Sequence, residues 1–179
     1  ALDVSNSMLA QDYYPNRLER AKLAISKLVD KLQGDRIGLI VFAGQSFVQL
    51  PITTDYVSAK IFLNTIGTES VPVQGTALGD AINTAIKSFS SDAQMQEDNK
   101  AIILITDGEN HEDDAVAAAR NASELGIKVF CIGVGSPEGK PIPYGPDGDL
   151  VKDQEGNIVV TKHNEKVLED VAAAGGGAY

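Results

Sequence analysis

Short apolar runs alternate with stretches of helical periodicity along most of this chain, and that alternation restricts the fold more than any other feature. Behind Pro15, Asn16 and Glu19 form a capping-box pattern, and Leu18, Ala21, Ile25, Leu28, Val29 and Leu32 recur at helical spacing up to Gly34. Arg36 to Ala43 then reads as a buried strand, and Ser46 to Leu50 as a second strand across the Gly44-Gln45 turn. So short a turn requires the two strands to be antiparallel. Thr54 or Asp55 can cap a helix through Ile66, Ala77 to Phe89 forms another, and Lys100 to Thr106 is an almost continuous apolar strand. The rhythm repeats in an Ala-rich helix from Asp113 to Leu125 stopped by Gly126, a strand from Lys128 to Val134 and a last helix from Asn164 to Ala174. The expected fold is a doubly wound α/β open sheet, mostly parallel with one antiparallel edge strand and helices on both faces.

Ser136 to Thr161 interrupts this rhythm. It carries Pro137, Pro141, Pro143 and Pro146, then two short runs on either side of Glu155-Gly156, which predicts a hairpin-like insertion at the sheet edge. The 179 residues suit one domain, 1–179, with enough apolar content (43%) for a substantial core. Ala1 stands only two residues before Asp3, where a central strand needs five or six, and Gly175-Gly176-Gly177-Ala178-Tyr179 resembles the approach to a further strand. The expectation is a fragment truncated at both ends.

A formal charge of −10 repels nucleic acid and gives no polybasic contact for a membrane. The longest apolar runs are too short to span a bilayer, so membrane attachment would need segments outside this chain. Cys131, the single cysteine, lies in the run Val129-Phe130-Cys131-Ile132 and reads as a buried strand thiol.

Three separated stretches carry chemistry: Asp3-Val4-Ser5-Asn6-Ser7, Gly75-Thr76 and Ile105-Thr106-Asp107-Gly108. Taken singly they are ordinary, since Ser5 or Ser7 can serve a helix entry, Thr76 an N-cap and Asp107 a turn. Taken together, Asp3, Ser5, Ser7, Thr76 and Asp107 form a set of hard oxygen donors suited to Mg²⁺ or Mn²⁺, less to Ca²⁺, and poorly to Zn²⁺ or copper. Asp3 and Asp107 end two apolar strands, where ligands bind in open α/β sheets. If the first loop stays extended, positions 3, 5 and 7 direct their oxygens to one side. Two carboxylates about balance a divalent charge, so the cation could still accept a carboxylate from outside.

The order Asp-x-Ser-x-Ser, distant Thr, distant Asp resembles the metal-ion-dependent adhesion site (MIDAS) of the von Willebrand factor A domain, over nearly the whole chain. That resemblance implies a Rossmann-like sheet and a non-enzymatic protein-binding role. It further implies that Ser5, Ser7 and Thr76 are direct or switchable ligands, that Asp3 and Asp107 often act through coordinated water, and that a partner's Glu or Asp completes the sphere. Leu2 to Met8, Arg17 to Lys22, Asp35 to Ile40 and Pro141-Ile142-Pro143 look like bacterial Bat aerotolerance proteins. This likeness implies an inner-membrane protein with the domain on the periplasmic side, tetratricopeptide Bat partners and a MoxR-type ATPase system.

The competing class is a Mg²⁺-dependent phosphohydrolase of haloacid-dehalogenase type, with Asp3, Thr76 and Asp107 in its three motifs. Such enzymes resemble Asp-x-Asp at the first motif, and Ser5 stands in place of the second acid. Neither serine lies in a Gly-x-Ser-x-Gly elbow, and no glycine-rich phosphate loop precedes a helix. Glu109, Glu112, Asp113 and Asp114 around His111 read as an acidic loop feeding a helix N-terminus rather than a second cation site. Neither His111 nor His163 is assigned to the metal site.

Overall fold

The computed structural model describes residues 1–90, 99–109, 113–145 and 149–179. Five strands form the main sheet: β1 (Leu2–Asp3), β2 (Ile37–Phe42), β3 (Ser46–Thr53), β4 (Lys100–Thr106) and β5 (Ile127–Gly133). Their order is β3-β2-β1-β4-β5. β1 runs parallel to both β2 and β4, and β4 runs parallel to β5. Only β3, joined to β2 by the tight turn, is antiparallel, and it lies at the edge. Strand order reverses about β1, so the loops leaving β1 and β4 open into one crevice.

Helices α1 (Arg17–Val29), α2 (Tyr56–Thr65), α3 (Leu78–Ser90), α4 (Ala115–Glu124) and α5 (Glu165–Ala174) cover the sheet. Successive strand side chains point to opposite faces, and the two faces nucleate separate cores. Leu39, Val41 and Ile105 pack with Leu18, Ala21 and Ile25 of α1 and Leu63 of α2. Ile40, Phe42, Ile102 and Leu104 pack instead with α3, α4 and α5 through Leu78, Ile82, Ala119 and Leu168. Asn16, Asp55, Asp114 and Asn164 each cap the helix that follows by accepting a backbone N–H.

Beyond α5, the glycines let the chain run close beside β5: Val129 N donates to the Gly175 carbonyl at 3.1 Å and Cys131 N to that of Ala178 at 3.1 Å. A Cβ on Gly177 would collide with the Val129 carbonyl. The segment from Ser136 to Thr161 is paired in pieces: β6 (Lys140–Pro141) with β9 (Val160–Thr161), β7 (Pro143–Tyr144) with β8 (Asp149–Leu150), and a single bridge between Lys152 and Ile158. Four prolines leave little continuous ladder to form.

Candidate metal centre

The site is built at the ends of β1 and β4. Val4 N donates to the Phe42 carbonyl at 2.8 Å, which carries the chain one residue past β1 before it turns. The extended loop expected for residues 3 to 7 does not form beyond Ser5. Asn6–Leu9 is a 3₁₀ turn closed by the Met8 amide on the Ser5 carbonyl (3.0 Å), and Met8 is fully buried beneath it. Burial of that thioether favours the turn over an extended strand end. The turn, rather than strand alternation, brings the Ser5 and Ser7 hydroxyls to 2.8 Å from each other. Ser5 makes no side-chain cap bond to the turn.

Asp3 is wholly buried and accepts the Ser5 amide on Oδ1 (2.8 Å) and the Thr106 hydroxyl on Oδ2 (2.6 Å). Burial, then the nearby Asp107 carboxylate, push Asp3 up to about 7, against the lowering effect of those hydrogen bonds. Among the described residues no cation pairs with Asp3, whereas Asp107 Oδ2 accepts from Arg17 Nη1 at 2.8 Å. Asp107 is also fully buried, and its Oδ1 accepts the Glu109 amide at 3.2 Å. Gly108 follows at φ +81, a left-handed turn that costs glycine little.

Thr76 arrives on the loop before α3. Gly44 N donates to the Val73 carbonyl (2.9 Å), Ala77 N to the Ala43 carbonyl (2.7 Å), and the Asn6 amide to Gln74 Oε1 (2.9 Å), tying this loop to the Ser5–Ser7 turn. Thr76 does not act as the N-cap that its position suggests. Asp113 takes that part, accepting Gly79 N at 2.9 Å and Asp80 N at 2.7 Å. Thr76 is 3% exposed, and its hydroxyl makes no hydrogen bond among the described residues. A buried hydroxyl in that state is costly unless something else meets it.

The donor set therefore fits a small hard cation: a carboxylate at Asp3 without a cationic partner among the described residues, two touching serine hydroxyls, a threonine hydroxyl unbonded among those residues, and Asp107. Among the described residues no cluster of three or more His, Cys, Asp or Glu is placed to hold a metal. His111 and Glu112 lie outside the described residues. Of their acidic neighbours, Asp113 and Asp114 cap helices, and Glu109 accepts the Thr161 hydroxyl (2.9 Å) and the Lys162 amide (3.1 Å).

Arg17, Asp12, Thr106 and Thr161 join the site although no sequence motif marks them. Arg17 is fully buried, forks onto Asp12 through Nε and Nη2, and reaches Asp107 and Thr161 through Nη1. An Arg at the first helical position normally reads as solvated, and its partner Asp107 is 90 residues away. Thr106 could have been found, since it is a polar residue closing the apolar run of strand β4 directly before Asp107, at the strand end where the site residues gather. His163 donates from Nδ1 to the Asp107 carbonyl (2.9 Å), so in the neutral ring Nε2 accepts from the Tyr179 hydroxyl (2.7 Å).

The sequence profile of the von Willebrand factor type A domain matches residues 1–171. The chain belongs to that family. A solved structure of a conserved hypothetical protein BatB from Bacteroides thetaiotaomicron is 54% identical, with a TM-score of 0.95 over 99% of this chain and 85% of that one. An aerotolerance-related membrane protein from Bacteroides fragilis, solved with multiple mutations to serines, is 53% identical, with a TM-score of 0.94 over 99% and 87%. A UPF0353 protein of Nocardia farcinica is 32% identical over 193 residues, covering 99% of this chain and 56% of its own length. The chain thus spans about half the length of the curated relatives it matches. No described helix is long and apolar enough to cross a membrane.

Proposed function

We propose that this von Willebrand factor A domain binds one divalent cation, Mg²⁺ or Mn²⁺ in preference to Ca²⁺, and uses it to capture a carboxylate of a protein partner. Ser5, Ser7 and Thr76 would hold the ion directly, with Asp3 and Asp107 acting directly or through water. The observation that carries this reading is the Thr76 hydroxyl, buried without a hydrogen bond among the described residues on a loop tied to the Ser5–Ser7 turn. In support of the same reading, Asp3 is a buried carboxylate lacking a cationic partner among the described residues. Bound there, the ion would supply a Lewis-acidic position for one external oxygen. The protein groups do the rest: Thr106 and the Ser5 amide fix Asp3, Arg17 fixes Asp107, and Met8 anchors the serine turn.

Two Bacteroides structures at more than half identity support placing the domain in a Bat-type system. One of them is described as a membrane protein, and the proposal extends to a domain carried at the bacterial inner membrane, on its periplasmic side, with tetratricopeptide Bat proteins and a MoxR-type ATPase as associates. Calorimetric titration with MgCl₂ and MnCl₂ tests the metal reading. One site per chain is expected in the wild type, with the heat lost in Ser5→Ala/Ser7→Ala. Equal heats in both proteins would remove the site.

A further inference from the structure

We propose that Arg17 is a positioning residue that holds Asp107 and both feet of the 136–161 segment as one coupled unit. Its guanidinium uses all five N–H groups. Nε and Nη2 grip Asp12 (2.9 and 2.7 Å), Nη1 donates to Asp107 Oδ2 (2.8 Å) and Thr161 Oγ1 (3.1 Å), and Nη2 also reaches the Thr161 carbonyl (3.4 Å). A planar, always-charged fork can satisfy these acceptors together, whereas a lysine ammonium cannot. Gly135 makes room for it: at φ +144, a Cβ there would stand 3.0 Å from the guanidinium carbon.

Each foot of the segment ends on this network. On the outgoing side, the Ser136 amide donates to Asp12 Oδ2 at 2.7 Å. On the returning side, Thr161 joins Arg17, Asp107 and Glu109, and the Lys162 amide donates to Glu109 Oε1 at 3.1 Å. The His163 amide closes the two feet onto the Ser136 carbonyl at 3.3 Å. Asp107 Oδ2 is thereby occupied by Arg17, with the Thr161 hydroxyl 3.3 Å away and its one proton closer to Glu109 Oε1 (2.9 Å), and Oδ1, which accepts one amide, keeps a lone pair for the site. A shift of the segment must move Thr161, hence Arg17, hence Asp107. By linkage the coupling is reciprocal, so an arrangement of the feet that stabilises one state of Asp107 is itself stabilised by that state.

The test is amide hydrogen exchange at Ser136 and Lys162 in wild type, Arg17→Lys, Asp107→Asn and the double variant, with Thr161→Val as a milder break that leaves no buried charge unpaired. Each single change should speed exchange at both amides about tenfold or more. The double variant should add little beyond the faster single, because both remove the same link. The metal arm rests on the function proposed above: MgCl₂ should slow exchange at both amides in wild type and lose that effect in Thr161→Val. Unchanged exchange in Arg17→Lys and Thr161→Val, or strictly additive effects, would overturn the coupling. If Mg²⁺ fails to bind the wild type, the proposed function fails while the metal-free exchange cycle still decides this inference.

Discussion

Thr76 shows most sharply what a binding role requires at a single residue. A structural threonine hydroxyl holds something, and removing it weakens the fold; this one is buried and holds nothing among the described residues. In Thr76→Val, stability without metal should therefore equal the wild type or exceed it by up to about 1 kcal/mol, because an unmet buried hydroxyl is replaced by a methyl. Metal-induced stabilisation should be lost in the same variant. A drop of more than about 1 kcal/mol in metal-free denaturant unfolding would assign Thr76 to the fold instead. Thr76, Asp3, Ser5, Ser7 and Asp107 could be picked from the sequence because their types and order carry the chemistry. Arg17 and Asp12 could not, since nothing local distinguishes a buried guanidinium at a helix start from a solvated one. The contact that defines Arg17's role spans 144 residues to Thr161.

At the level of elements, the helices and long strands were legible because apolar spacing and capping residues act within a few positions. The 3₁₀ turn at Asn6–Leu9 was not, since it depends on Met8 finding a pocket built by distant elements. Likewise the pairing within 136–161 follows from where its feet are held. Beside β5, Gly177→Ala should cost about 1–3 kcal/mol through its clash with the Val129 carbonyl, or release the terminal segment from β5, visible as faster exchange at Cys131.

Over the whole molecule, the charge of −10 sets a problem that the proposed site must solve. A partner offering Glu or Asp is repelled at long range, so attraction has to arise at the cation, within a few ångströms and out of reach of salt. Screening lengths fall to about 8 Å at physiological ionic strength, which weakens the distant repulsion and leaves a coordinated carboxylate nearly untouched. Association with an acidic partner segment should therefore tighten, or stay level, as salt rises from about 10 to 150 mM in the presence of Mg²⁺. An ordinary surface ion pair between exposed groups would weaken over the same range. Chelation, or a Glu-to-Gln change in the partner that keeps shape and removes charge, should abolish binding at every salt concentration. A phosphohydrolase using Asp3 would instead turn over phosphate esters in a Mg²⁺-dependent manner and lose that activity in Asp3→Asn; Ser5, which follows where a second acid would protonate the leaving group, argues for no turnover. Surface plasmon resonance across that salt series, run beside a phosphate-release assay, separates the two. Binding that falls with salt and survives chelation would move recognition off the metal, and Asp3-dependent phosphate release would make the chain an enzyme.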